Sequence, residues 1–408
     1  MLESIRVLSA NQPLRNDILF LFTDGEELGW IGAHEYIKAH PEAKNETGVL
    51  LVFDARPGNA PLNLLKTSPG DAWLLRQMTG LPLSMWAASW KNLQERNEID
   101  TDFDILQPAG FTGIVMENEG TGTRYHTERD TVDAISPNLV QAYGQTMLAL
   151  TDRFGSIDLR TRTKNPDLAF FTLSLVGLVA YPYWVMLALS SLGFLALLAF
   201  VILAWRMKRF STGRFAMSLA GLLLGILLIV LCAQVAWGSI KTSHAAEIAV
   251  YGGFEGSAAW QAGFMVADCL LMIVLLTVLS RHLGGINLAP ASAILFLIAG
   301  FGFNMLTHND NPLTTAWLAW PFIGCVAGMG VLLFTKDQAW KVVSLAFSAL
   351  LTLAVAIPRI WMATFTREDA WLMALAVCTW MALFVPQVDA IFGQALVTQK
   401  SDQDRSRR

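Results

Sequence analysis

From Tyr183 onward the chain is a succession of apolar runs, each near the 20 or so residues an α-helix needs to cross a bilayer, separated by short polar breaks. A helix that is apolar on every face has no side to turn toward water. Seven spans are predicted: Tyr183–Trp205, Phe215–Gly238, Gln261–Ser280, Leu288–Leu306, Thr314–Phe334, Val342–Met362 and Ala370–Phe392. The run "LAFFTLSLVGLVAYP" from Leu168 is shorter and ends at Pro182. It reads as a connector or re-entrant piece over 166–182.

Upstream the composition changes. Residues 1–167 hold 15 Lys and Arg against 23 Asp and Glu, whereas the remainder holds 14 against 10. An acidic head joined to a basic, apolar tail implies two parts in different solvents, with the boundary near Asn165 and Pro166. The organisation expected is a head over 1–165, a bilayer-embedded region over 183–392 and a basic tail over 393–408. The acidic balance excludes a nucleic-acid partner for the head. Cys232, Cys269, Cys325 and Cys378 all lie in apolar runs and read as small hydrophobes. Oligomeric state is not encoded in any of these features.

Lys and Arg gather in alternate loops: "RMKRFSTGR", "SRH", "KDQAWK" and the terminal "QKSDQDRSRR". The opposite loops hold Lys241 and Arg367, with Arg359 near a helix end. Because basic loops stay cytoplasmic, the head is predicted to face the periplasm or an equivalent lumen, with the carboxyl terminus in the cytoplasm. Asp268 is the main ionisable group within the spans; standing alone, it reads as a carboxyl bonded inside the bundle rather than as a relay.

The head alternates apolar and amphipathic stretches, the signature of a mostly parallel sheet covered by helices. "DILFLFT" leads to Asp24, Glu26 and Glu27; "GVLLVFDA" reaches Asp54; "TGIVMEN" reaches Glu117 and leads by a Gly-rich loop to "RYHTERDT". In an open α/β sheet the crevice lies beyond the carboxyl ends of the strands, so Glu26, Glu27, Asp54 and His126 are expected to converge. "IGAHEYIKAH" is a helix stopped by Pro41, and "SPNLVQAYGQTMLALTDRF" has Ser136 as N-cap and Pro137 at its first position.

Carboxylates and an imidazole around one crevice are ligands Zn²⁺ accepts in a catalytic site with one position open to water. Of two adjacent glutamates, one can bind metal while the other takes a proton from that water. Taken alone, "DGEE" is equally what a helix N-terminus collects. The histidines of "HEYIKAH" stand six apart, not the four that would place both on one helical face, and His40, His244, His282 and His308 read as surface or span-end residues.

"PLRNDILFLFTDGEELGWIGAHEYIKAHP", "LVFDARPGNAPLNLLKTSPGDAWLLRQM", "DTDFDILQPAG" and "YHTERDTVDAISPNLVQAYGQTMLAL" together resemble the zinc aminopeptidases of peptidase family M28 over most of Met1 to Phe154. With its multispan tail the chain resembles the membrane-anchored branch that holds the vacuolar and endoplasmic-reticulum proteases. The resemblance implies an α/β zinc-exopeptidase-like domain, incomplete at its start, followed by an α-helical multispan membrane domain. It further implies two zinc ions, peptide substrates, Glu26 as general base, Glu27, Asp54 and His126 as metal ligands, Tyr125 as an oxyanion or substrate contact, and structural roles for Asp102 and Asp130.

One departure stands out. The family places a further His and a bridging Asp before the Glu-Glu pair, and here no histidine precedes His34. "MLESIRVLSANQPLRND" also has the form of no export signal. Both observations lead to the expectation of a chain that starts inside the peptidase domain. The functional expectation is a membrane-anchored zinc aminopeptidase; the alternative is a noncatalytic binding or assembly module built on the same domain.

Overall fold

The computed structural model describes residues 1–58, 60–70, 72–88, 101–118, 123–163, 165–173, 176–306, 319–353 and 370–392. The tail 393–408, His308, Arg359, Arg367 and parts of the fifth and sixth expected spans lie outside these. Two compact units divide between Tyr183 and Trp184.

In the head, β1 (Leu50–Ala55), β2 (Leu62–Thr67) and β3 (Gly113–Asn118) form a sheet of order β1-β3-β2. β1 runs parallel to β3, with Asp54 opposite Glu117, while β2 runs antiparallel to β3. The sheet is therefore mixed, where a mostly parallel one was expected. The cause lies in "RPGNAP": the six residues between β1 and β2 are too few for the dozen or so of a helical crossover, so the chain reverses direction. All residues of β2 and β3 are buried, which is why "GIVM" reads as a continuous apolar run without alternation.

The stretch "DILFLFT" does not join this sheet. It is an extended segment with no strand assignment, and Leu19 and Phe22 are exposed. Its start is held elsewhere: the Asn16 N–H donates to the Gly155 carbonyl (2.8 Å) and its side-chain amide to the Phe154 and Ile157 carbonyls. A run of apolar, β-prone residues supplies β propensity but not a partner ladder, and propensity alone forms no strand.

Around the sheet pack α1 (Leu2–Ser9), α2 (Ile31–Ala39), α3 (Ala43–Glu46), α4 (Ala72–Met78), α5 (Asp102–Leu106) and α6 (Pro137–Ser156). Ser136 precedes α6 and Pro137 opens it, as expected; the first carbonyl partner is the Ser136 backbone, with no side-chain cap bond. α5 starts with a capping box, Thr101 and Asp104 each bonding the other's backbone N–H. The core joins Leu62, Leu64, Leu75, Met78, Ile114, Met116, Leu150 and Phe154.

The run from Leu168 is a second correction. It folds as a hairpin, β4 (Leu168–Leu173) against β5 (Gly177–Pro182), in place of a re-entrant membrane piece. Leu168, Phe170 and Leu178 join the head core. A glycine at φ +85°, Gly177, starts the return strand, and a mostly apolar run this short suits two short paired strands, the first buried and the second partly so, better than a span.

The second unit contains α7 (Tyr183–Arg206), α8 (Thr212–Ser243), α9 (Ala245–Tyr251), α10 (Ser257–Leu283), α11 (Gly285–Leu306), α12 (Ala319–Phe334), α13 (Gln338–Leu353), α14 (Ala370–Met381) and α15 (Val385–Phe392). Among the described residues five helical stretches are long and apolar enough to cross a membrane, and α12 and α13 are shorter apolar helices. This makes the unit a multi-pass membrane region. Leu192, Leu224, Leu227 and Val274 are each at least half exposed. Leaving such side chains in water forgoes about 1.5–3 kcal/mol apiece, so their medium is lipid.

Inside the bundle, small residues set the close approaches. Gly324 and Gly328, four apart on α12, face Ser348 and Thr352, four apart on α13. The Ser348 hydroxyl donates to the Gly324 carbonyl at 2.5 Å, and a Cβ on Gly324 would lie 2.7 Å from the Thr352 backbone nitrogen. The basic connections meet at one end of this unit. Ser211 N–H donates to Asn287 Oδ1 (2.8 Å), Arg209 donates to the Leu333 carbonyl (3.2 Å), and Arg281 donates to the Phe392 carbonyl (3.0 Å).

Candidate functional site

The "DGEE" turn is shaped by Gly25, at φ +68°, a left-handed conformation that costs glycine little. A side chain there would also press on Ile31, whose Cβ lies 3.2 Å from the position of an added Cβ. The Glu26 carbonyl accepts from the Gly29 and Trp30 N–H groups (3.0 and 2.8 Å), which fixes Glu26 and Glu27 at the entrance to α2. Trp30 itself sits at φ +53°.

Glu27 and His126, 99 residues apart, meet: His126 Nε2 lies 2.6 Å from Glu27 Oε1. Their side chains are 62% and 55% exposed, so as an ion pair the contact contributes at most about 1 kcal/mol. Something other than pair energy must hold His126 in place. His126 adopts φ +58°, a left-handed conformation that costs roughly 1–2 kcal/mol, and this turns its ring back over Tyr125, with centroids 3.8 Å apart and planes 23° apart. Two of the three non-glycine residues with positive φ among the described residues, Trp30 and His126, thus flank the glutamate pair. Such strain persists only where the surroundings hold it.

Glu26 is half-buried, and its carboxyl lies above the usual carboxylate range. Burial is the first cause, followed by the charges of Glu27 and Asp54. Asp102 adds a smaller push in the same direction, and the Trp30 indole opposes it. A carboxyl shifted this way holds a proton more readily than an ordinary glutamate, which favours its service as a proton acceptor. Asp54 is the penultimate residue of β1, where its Oδ1 accepts from the Ala55 N–H (2.8 Å). Asp102 receives the Thr23 hydroxyl (2.5 Å) at the start of α5, a structural tie, and Asp130 is exposed, with its N–H donating to the Thr127 carbonyl (3.0 Å).

Three further residues, which sequence reasoning left without a role, shape this edge. The Tyr143 hydroxyl accepts from the Asn118 N–H (2.9 Å) and lies within donating reach of Asn118 Oδ1 (2.8 Å) and of the Asp54 carbonyl. It ties the ends of β1 and β3 together just where Asp54 emerges. Burial pushes its hydroxyl well above the usual phenol range, which keeps it a donor. Arg56 lies against the buried carboxylate of Glu117, and its guanidinium stands 4.6 Å from the centre of the Tyr125 ring. The signal for Arg56 is its place two residues after Asp54, at the same strand end.

A facing carboxylate and imidazole, both open to solvent, form a donor pair that suits Zn²⁺. No group of three His, Cys, Asp or Glu able to hold a metal gathers among the described residues. The pair fits part of a coordination shell, with Asp54 near enough to act on Glu26 electrostatically but outside a ligand cluster.

Residues 1–151 match the profile of Peptidase family M28. The chain is 28% identical over 190 residues to the endoplasmic reticulum metallopeptidase 1 of Homo sapiens, covering 45% of this chain and 21% of that protein. A putative endoplasmic reticulum metallopeptidase 1-A of Caenorhabditis elegans is 28% identical over 155 residues, 37% of this chain and 17% of that one. A vacuolar membrane protease of Candida albicans is 27% identical over 141 residues, 34% and 16% respectively. The chain spans about a fifth of the length of the curated relatives it matches. No solved structure gives a significant match. The matched region ends within α6, after every residue of the edge just described, so the similarity to Peptidase family M28 covers the head, which is built on a mixed sheet and followed by a helical region with several membrane-capable helices.

Proposed function

We propose that the protein is a membrane-anchored zinc exopeptidase that removes amino-terminal residues from peptides, with its head outside the cytoplasm. Glu27 and His126 would hold zinc, with Asp54 as a ligand to a second ion; when bound, the metal would supply Lewis acidity that acidifies a water and polarises the scissile carbonyl. Glu26 is the base: its carboxyl accepts a proton from the attacking water and delivers it to the leaving amine. By the family resemblance, the Tyr125 hydroxyl would donate to the oxygen of the attacked carbonyl. Exopeptidase specificity comes from the family resemblance alone.

The observation that carries this reading is the Glu27–His126 contact beside a half-buried Glu26 whose proton affinity is raised. The positive-inside bias supports the orientation, because the connections bearing Arg206 to Arg214, Arg281 and Lys336 to Lys341 share one end of the helical unit.

The test compares two isosteric variants in the purified full chain. Glu26→Gln should keep zinc and lose roughly 10²-fold to 10⁴-fold in peptide hydrolysis, since only the proton acceptor is gone. Glu27→Gln should lose zinc as well as rate. Zinc lost from Glu26→Gln and kept in Glu27→Gln would reverse the two roles; a parent that hydrolyses nothing and binds no zinc would favour the noncatalytic module.

A further inference from the structure

We infer that Arg56 is a positioning residue: anchored by the buried Glu117, it clamps the Tyr125 ring against His126 and so fixes the direction in which the imidazole faces Glu27. The inference deepens the reading of His126 as a metal ligand and rests on it for its functional meaning.

The geometry runs outward from the sheet. Glu117 belongs to β3, the central strand, and its side chain is 1% exposed. A carboxylate at that depth requires a cation, and the Arg56 guanidinium lies directly against it. The Arg56 backbone is fixed too: its N–H donates to Asn118 Oδ1 (3.0 Å), and its carbonyl accepts from the Asn118 side-chain amide (2.8 Å). With both backbone and head group held, the planar guanidinium presents a fixed face. That face lies over Tyr125, 4.6 Å from the ring centre, in the geometry of a cation–π contact.

Tyr125 in turn stacks on His126, whose left-handed backbone directs the ring back along the chain. The sequence Glu117, Arg56, Tyr125, His126, Glu27 is therefore a continuous line of contacts from the buried strand to the half-exposed donor pair. Without its inner part, a loop histidine 55% exposed and strained at φ +58° has a weak Glu27 contact to set its orientation. Lysine at position 56 would keep a charge but lose the flat face that covers the ring.

The test uses the full chain purified in detergent with 3-fluorotyrosine at its six tyrosines, the Tyr125 resonance being assigned by its loss in Tyr125→Phe. Arg56→Met keeps an unbranched stem but no guanidinium. It should move the Tyr125 resonance to that of a solvent-exposed fluorotyrosine and leave the other five in place, which reports an intact fold. It should also weaken binding of added Zn²⁺ by about tenfold to a hundredfold, the range seen when a group that orients a metal ligand is removed. Arg56→Lys should recover only part of both effects, and Glu117→Gln should shift Tyr125 in the same direction. The inference is overturned if Arg56→Met leaves the Tyr125 resonance where it was, whatever the zinc affinity does, because Arg56 would then act through charge alone. A parent that binds no Zn²⁺ would remove the metal reading, while the Tyr125 resonance would still decide the clamp.

Discussion

Removing one oxygen atom should loosen the strand ends that present Asp54. In Tyr143→Phe the ring keeps its packing beside Phe53, with centroids 6.4 Å apart in the parent, and only the hydroxyl is lost. That hydroxyl accepts from the Asn118 N–H and can donate to one of two acceptors, Asn118 Oδ1 or the Asp54 carbonyl. Two hydrogen bonds at about 0.5–1.5 kcal/mol each are lost. Asn118 is fully buried, so its N–H has no route to water, and an orphaned buried donor costs about 1–3 kcal/mol. The two figures describe the same loss from two sides and agree on about 1–3 kcal/mol. Expressed as local opening, this is roughly a 5-fold to 150-fold rise in amide exchange at Asn118, at about 1.4 kcal/mol per tenfold. Exchange resolved to single amides by mass spectrometry measures it, with Val115 in the middle of β3 as the internal reference. Unchanged exchange at Asn118, or an equal rise at Val115, would refute the idea that Tyr143 holds this edge locally.

Other expectations follow from the same kind of accounting. Lys66, 1% exposed, meets Asp104 at 2.8 Å, so Lys66→Met or Asp104→Asn alone should cost about 3–5 kcal/mol in denaturant unfolding, whereas Lys66→Met with Asp104→Asn should cost clearly less than the sum; strict additivity would show that the pair is not coupled. Gly324→Val should separate α12 from α13 and lower the detergent-resistant melting temperature, because the added atoms meet the Thr352 backbone nitrogen and the Ser348 carbonyl as well as the Thr352 hydroxyl, and the backbone cannot swing aside; parent-like melting would show that the two helices do not pack through this face. A cysteine at Ser211, in the basic connection between α7 and α8, should resist a membrane-impermeant thiol reagent in intact cells, and labelling from outside would reverse the proposed orientation.

Where a single local rule decides an element, the sequence was readable. The expected spans from Tyr183, Phe215, Gln261 and Leu288 lie within α7, α8, α10 and α11, because a bilayer imposes length and apolarity and little else. α2 ends at Ala39 before His40 and Pro41, and α6 opens at Pro137, because proline restricts the backbone around it. The misses are non-local. "DILFLFT" has every mark of a strand, but pairing depends on which backbone edge lies alongside, and no window of seven residues contains that information. "LAFFTLSLVGLVAYP" was read for hydrophobic length when the turn at Gly177 decided its form. The Gly324 and Gly328 spacing carried its meaning in plain sight but gains force only beside Ser348 and Thr352 on the next helix.

At the candidate site the legible part was chemistry and the illegible part was support. Acidic and imidazole groups expected at one crevice suggest a metal, the family resemblance makes Glu27 and His126 ligands, and the fold does bring these two within 2.6 Å. Arg56, Glu117 and Tyr143 gave no comparable signal, since an arginine, a glutamate and a tyrosine in such a sequence fit surface or core equally well. Their roles arise from depth: Glu117 is informative because it is buried, and Arg56 because Glu117 is. The division has a physical origin. Residues that perform proton or metal chemistry must be of particular types, so composition exposes them, whereas residues that hold them need only reach the right point with the right shape. An exposed pair contributing at most about 1 kcal/mol cannot keep a left-handed histidine costing roughly 1–2 kcal/mol in its place. The balance has to come from contacts behind it, and the line from Glu117 through Arg56 and Tyr125 is where this structure supplies them.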